Sequence, residues 1–137
     1  MYKQLKVGVY QGHGSPPGYR WKVLIHHSAY PEAREFLSDD QYQHIAMQVK
    51  ELAKENDPTH PTTCSVDAIE DFHELRDKGG ILGNLNVRVF FSVDKAENAI
   101  VILGAIIKQN DGPTPLGDKR RISRRRRRYF NGEFGKP

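Results

Sequence analysis

Apolar residues recur along this chain in two rhythms, the 3.6-residue repeat of a helix and the two-residue repeat of a strand. The helical rhythm is clearest after Ser38, where Tyr42, Ile45, Ala46, Val49, Leu52 and Ala53 fall on one face. Ser38 with Gln41 three residues on makes a capping box, so the spacing predicts a helix from there to about Asn56, ahead of Asp57-Pro58. A shorter helix, Tyr30 to Leu37, is expected before it, capped by Ser28, with Pro31 in a first turn that tolerates proline. Strand character marks Trp21 to Ile25, and three more strands are expected after the proline-bearing loop Pro58 to Cys64: Val66–Arg76, Leu85–Asp94 and Ala99–Lys108. In the second of these, Val87, Val89, Phe91 and Val93 alternate with Arg88, Phe90 and Ser92. The third is apolar almost throughout, which suits a central strand buried on both faces.

Asp77 to Asn84 reads as a flexible hairpin loop and Asp94 to Asn98 as a tighter one, and short links of this kind predict antiparallel pairing. The order predicts an α+β fold: two N-terminal helices packed on one face of an antiparallel sheet of about four strands, the other face open. Residues 1–20 read as an N-terminal extension, with a short strand at Lys6–Tyr10 and a loop at Gly12–Gly18. That loop carries Gly-x-Gly without a following Lys-Ser/Thr, which argues against a phosphate-cradling loop. Residues 21–118 form the expected domain, and 119–137 an arginine-rich C-terminal segment.

Composition narrows the class. The 137 residues have room for one modest core, and 37% hydrophobic with 28% charged residues favours a folded domain over a disordered chain. No apolar run reaches the roughly 18 residues of a membrane span, and the N-terminus lacks a secretory apolar stretch. The single cysteine, Cys64, allows no internal disulfide and fits a reducing cytoplasm. Charge is uneven: residues 1–118 hold 12 Lys and Arg against 16 Asp and Glu, whereas residues 119–137 hold 9 against 1. The segment Lys119 to Arg128 therefore seeks a polyanion, either nucleic acid or an acidic protein. It has little apolar content, and adjacent arginines repel, which predicts an extended or partner-ordered state.

Three phrases bring in a family. Phe72-His73-Glu74-Leu75-Arg76, Asn86-Val87-Arg88-Val89-Phe90-Phe91, and Ile102 to Asn110 closing on Thr114-Pro115 resemble, in order and spacing, three segments of the RelE/ParE toxin superfamily, above all its HigB-type, phage-associated branch. The resemblance covers roughly residues 21–130. The chain departs from it at Gln109, where a second lysine is frequent, and at Asn86, where an aromatic is usual. The resemblance implies the toxin of a type II toxin–antitoxin pair, a ribosome-dependent mRNA endoribonuclease that uses no metal or other cofactor. It also implies a cognate antitoxin, helix-turn-helix in type with an acidic segment, and a possible homodimer.

Such a reaction, attack of an RNA 2′-OH on its neighbouring phosphate, needs the phosphate held in line and cations placed where charge develops. Arg88 is the first candidate, expected to project from the open face, because a planar guanidinium fork binds two phosphate oxygens. Arg76 and Lys108 are expected beside it, with a structural ion pair from Glu74 to Arg76 or Arg88 as the alternative reading. His73 has the pKa for acid–base work but shares parity with Leu75, which points it toward the core. Tyr129 is a candidate acid/base or stacking group, with Phe130 beside it. Lys78, Lys119, Arg120, Arg121, Arg124 and Arg125 are the expected RNA-binding residues. No metal-ligand spacing is visible among His26, His27 and His44, and Cys64 has no oriented His partner. The alternative function is a non-enzymatic module on the same fold, either a gyrase inhibitor or an RNA-binding protein without catalysis.

Overall fold

A computed structural model of the chain describes residues 19–108 and 112–132, together with the backbone of Leu5–Lys6. The strand and loop expected over Val7–Tyr10 and Gly12–Gly18 lie outside the described residues. The chain order is β1 (Leu5–Lys6), β2 (Lys22–Ile25), α1 (Ala29–Phe36), α2 (Asp39–Lys54), β3 (Ser65–Ile69), β4 (Phe72–Lys78), β5 (Asn86–Asp94), β6 (Ala99–Lys108) and α3 (Leu116–Phe130), with a 3-10 turn at Gly80–Leu82. The fold is α+β.

The helices begin where local chemistry sets them. Ser38 Oγ accepts from the Gln41 amide at 3.2 Å while Gln41 Oε1 accepts from the Ser38 amide at 2.9 Å, the reciprocal capping box. Helix α2 buries Ile45, Val49, Leu52 and Ala53. Ser28 stands at the N-cap of α1, but its side chain does not cap; its amide instead donates to His26 Nδ1 at 2.9 Å.

The sheet is six-stranded and mixed, in the order β1-β2-β6-β5-β4-β3. It departs from the expected layout in three ways. First, β2 pairs with β6 in parallel, Lys22 opposite Ala99 and Ile25 opposite Ile102. The two strands meet only after α1, α2 and three further strands, and so long a crossover permits parallel pairing where a short link forbids it. Second, the segment expected as one strand over 66–76 is the hairpin β3–β4, turning at Glu70 and Asp71. Glu70 takes a left-handed φ of 54°, a conformation usually marked by Gly or Asn, so the turn carries only the weak signal of Asp71.

Third, the sheet face expected to be open is covered. Helices α1 and α2 pack on one face, over a core that includes Val23, Leu75, Val89, Phe91 and Ile100. On the other face α3 covers Leu24, Phe72, Phe90, Val101 and Leu103 with its own Ile122 and Tyr129. The arginine-rich segment is thus a folded helix, and the boundary expected at residue 118 falls inside it. Tertiary contacts override the poor intrinsic propensity of an arginine run. No helix among the described residues is long and apolar enough to cross a membrane.

The seat of α3 is Gly104 on β6. An added Cβ there would lie 2.6 Å from Ile122 Cδ1, 2.9 Å from Arg125 Nη1 and 3.0 Å from Glu32 Oε1. The variant Gly104→Ala is therefore expected to lose about 1–3 kcal/mol of stability by overpacking. Urea unfolding monitored at Trp21 measures this, and a midpoint equal to the parent's would mean that α3 is not seated on Gly104.

Candidate nucleic-acid interface

Strand register gathers several predicted cations at one end of the sheet. Lys78, Asn86 and Lys108 occupy one row across β4, β5 and β6, and Arg76, Arg88 and Ile106 a parallel row two residues along. Phe72, Phe90 and Ile106 pack under α3, so by alternation Arg76, Lys78, Arg88 and Lys108 belong to that same face. An open pocket at this end is lined by Ser65, Arg76, Asp77, Lys78 and Asn86.

Arg88 does not project from that face. It is fully buried, with 0% of its surface exposed. Its Nη1 donates to Thr114 Oγ1 at 3.2 Å and stands 3.5 Å from Glu74 Oε1, while Nη2 donates to the Gly112 carbonyl at 2.8 Å. Thr114 Oγ1 in turn donates to Glu74 Oε1. The alternation that assigned Arg88 to the polar face is correct; what covers it is the segment leading into α3. Arg76 donates to Glu74 Oε2 at 2.6 Å and lies 3.0 Å from Asp67. The two alternative ion pairs of Glu74 therefore coexist, one on each carboxylate oxygen. Lys108 Nζ donates to the Pro113 carbonyl at 3.0 Å, and Lys78 is exposed.

Two predicted residues lie elsewhere. His73 stacks on Phe91, ring centroids 5.8 Å apart, on the α1/α2 face and hence across the sheet from Arg88. Burial and the nearby His60 charge push its pKa down, with Asp57 opposing. Tyr129 is buried under α3, its hydroxyl donating to Asp94 Oδ2 at 2.8 Å, so it is a structural group and not an accessible acid. Among the other histidines, His44 bridges α2 to β4 through Asp77 at 2.7 Å. Burial holds the Cys64 thiol above its ordinary pKa, the reverse of an activated nucleophile. Among the described residues no cluster of three or more His, Cys, Asp or Glu is placed to hold a metal.

Helix α3 divides its charge by face. Arg125 grips Glu32 of α1 with both guanidinium nitrogens, Nη2 to Oε2 at 2.6 Å and Nη1 to Oε1 at 3.0 Å, and Nη1 also donates to the Leu103 carbonyl at 2.8 Å. Arg121 donates to Asp118 at 2.7 Å, Arg126 reaches Ser92 and Asp71, and Lys119 lies 3.8 Å from Glu70. Of the residues expected to bind RNA, Lys119, Arg121 and Arg125 thus serve the fold. Arg120 and Arg124 face solvent, as do Arg127 and Arg128. Sequence reasoning offered the Glu74 ion pairs as an alternative, one at a time, and missed Thr114 as their link to α3 and Glu32 as the clasp. The Glu74 parity shared with Arg76 was the one available signal.

Breaking the buried pair tests its role. Arg88→Leu is expected to cost about 3 kcal/mol, the low end for orphaning a buried charge, because Arg76 still reaches Glu74. Glu74→Gln combined with Arg88→Leu should cost less than the sum of the two single changes. Additive losses in denaturant titrations would mean the two groups do not interact. A second test is acid stability. Burial, then the charges of Arg125, His27 and Arg128, push the His26 pKa from 6.5 down to about 3. The unfolded chain takes up this proton near 6.5 and the folded state refuses it until about 3, so stability present above pH 6.5 is lost as pH falls between them. His26→Asn keeps an acceptor for the Ser28 amide and removes the titration; its stability should fall less steeply over that interval, and identical slopes would rule His26 out as the cause. No protein-family model matches this sequence, and its comparison with curated proteins returns no match.

Proposed function

We propose that this chain is a growth-inhibiting toxin of the RelE/ParE type, the partner of an antitoxin, and that its target is RNA. The observation that carries the reading is the pair of adjacent rows bearing Arg76, Arg88, Lys78 and Lys108 on one face at one end of the sheet, beside an open pocket. At this end of the face, among the described residues, the carboxylates that pair with Arg76 and Arg88 are Glu74 and Asp67, while no described ion pair neutralises Lys108. Such a group of cations attracts a phosphodiester, and cleavage of the strand through its own 2′-OH asks for cations more than for covalent chemistry. Lys78, Lys108 and Arg76 are the groups that meet the phosphate. Arg88, sealed beneath Thr114, positions Glu74 and the start of α3. The reaction is the metal-independent cleavage of mRNA at the ribosome.

A second reading, binding without cleavage, is favoured by the burial of Arg88 and the placement of His73 on the opposite face. One experiment separates them: brief induction in a bacterial host, with growth followed and transcript 5′ ends mapped for the parent and for Arg76→Ala/Lys108→Ala. Cleavage predicts growth arrest with new 5′ ends, reduced roughly a hundredfold in the double variant. Arrest with intact transcripts selects the binding module, and unimpaired growth removes the toxin assignment.

A further inference from the structure

Arg120, Arg124, Arg127 and Arg128 recur at i, i+4, i+7 and i+8, so they form one stripe along the outer face of α3, spanning about 12 Å at 1.5 Å per residue. All four are exposed, and none forms an ion pair with a described residue. Among the described residues of that outer face, Gly117 and Asn131 add no carboxylate, and the nearest flank position, Ser123, donates to Asp71 at 3.4 Å. Like charges so placed destabilise a helix by about 0.2–0.5 kcal/mol per pair. The helix tolerates this because its inner arginines are pinned to Glu32, Asp118 and Asp71. Among the described residues the stripe also has no aromatic of its own to stack a base. Phe130, the one exposed aromatic of α3, lies under the Arg126 guanidinium at 4.7 Å and edge-on to Tyr129 at 5.0 Å.

We propose that this stripe is a docking surface for the phosphate backbone of duplex RNA. The inference rests on the reading of the chain as RNA-directed and names the form of RNA. Single strands are held chiefly by bases stacked on aromatic platforms, which the described residues of the stripe do not offer. A rigid line of guanidinium forks instead suits the regular phosphates of a helix. Only the outer half of α3 projects, because Ile122, Arg125 and Tyr129 hold the inner half against the sheet. A surface that shallow meets the wide, shallow minor groove of A-form RNA more fully than the deep major groove of B-DNA.

The test is a salt titration of the full chain against a 20-base-pair RNA duplex, its single strand and the DNA duplex of the same sequence, read by fluorescence anisotropy. The expected order is RNA duplex tightest, with a log–log salt slope of roughly −3 to −4 for four phosphate contacts. Arg120→Ala/Arg124→Ala/Arg127→Ala should weaken duplex binding at least tenfold at about 0.15 M salt and flatten the slope by roughly three. The Arg→Lys counterparts at the same positions, folded and equally charged, should keep most of the slope. Tighter binding of the single strand or the DNA duplex, displacement of the duplex by a glutamate-rich peptide at lower concentration than by RNA, or an unchanged slope in the alanine variant would each overturn the proposal. Duplex binding by a chain that leaves growth unimpaired supports the stripe while removing the toxin reading; growth arrest with no duplex binding removes the stripe alone.

Discussion

The carboxylate of Glu74, closed off from solvent on the sheet's α3 face, organises much of what surrounds it. One oxygen takes the Arg76 guanidinium from its own strand; the other receives the Thr114 hydroxyl and stands beside Arg88 of the neighbouring strand. Burying a lone carboxylate costs far more than a small domain can tolerate, so its neighbours must be cations or donors. Thr114 immediately precedes Pro115, the N-cap of α3, and Arg88 also holds the Gly112 carbonyl. The point where α3 leaves the sheet is therefore fixed by the requirement to satisfy Glu74. Without that anchor, the apolar patch formed by Phe72, Phe90, Val101 and Leu103 would lack its cover.

From that start, α3 crosses to the edge of β6. There β2 ends at Ile25, leaving the later residues of β6 without a strand beside them on that side. Side chains complete the ladder: Glu32 accepts from the Ala105 amide at 3.3 Å, and Arg125 donates to the Leu103 carbonyl. The two groups also pair with each other, so a single ionic contact ties α1 to α3 around the sheet edge while satisfying backbone that would otherwise be orphaned. Gly104 sits between the two satisfied backbone groups because no side chain fits there. An arginine run forms a helix here for the same reason that it would fail to do so in isolation: half of its charges face carboxylates supplied by other elements.

Much of this was legible from spacing. The capping box at Ser38 and Gln41, the apolar stripe of α2, and the two faces of β5 all follow from periodicity, and the strand over Ala99–Lys108 has the bounds its apolar run predicts. Periodicity says which face a side chain takes; it is silent about what later covers that face. Arg88 was expected to be exposed for that reason, though Thr114, 26 residues on, covers it; Tyr129 was expected in an extended tail and is instead carried by α3 onto Asp94. The turn at Glu70-Asp71 was missed because the left-handed position is held by Glu70 and not by Gly or Asn, and Asp71 alone is a weak signal, so two strands read as one. Parallel pairing of β2 with β6 escaped notice because it depends on chain topology alone.

The same contacts rank the places where a polyanion can bind. At the sheet end, Arg76 is already engaged by Glu74 and Asp67, so a phosphate arriving there shares its cation with two carboxylates and feels their field. Lys108 offers more, since its contact is with a neutral carbonyl that a phosphate oxygen can replace. The outer arginines of α3 have neither competitor nor neutral partner among the described residues, and they lie on a helix that the Glu32–Arg125 clasp holds rigid. A rigid array loses little entropy when it binds. On the proposed RNA-directed reading, docking therefore begins on α3, and the cations at the end of the sheet act on a strand that is already held.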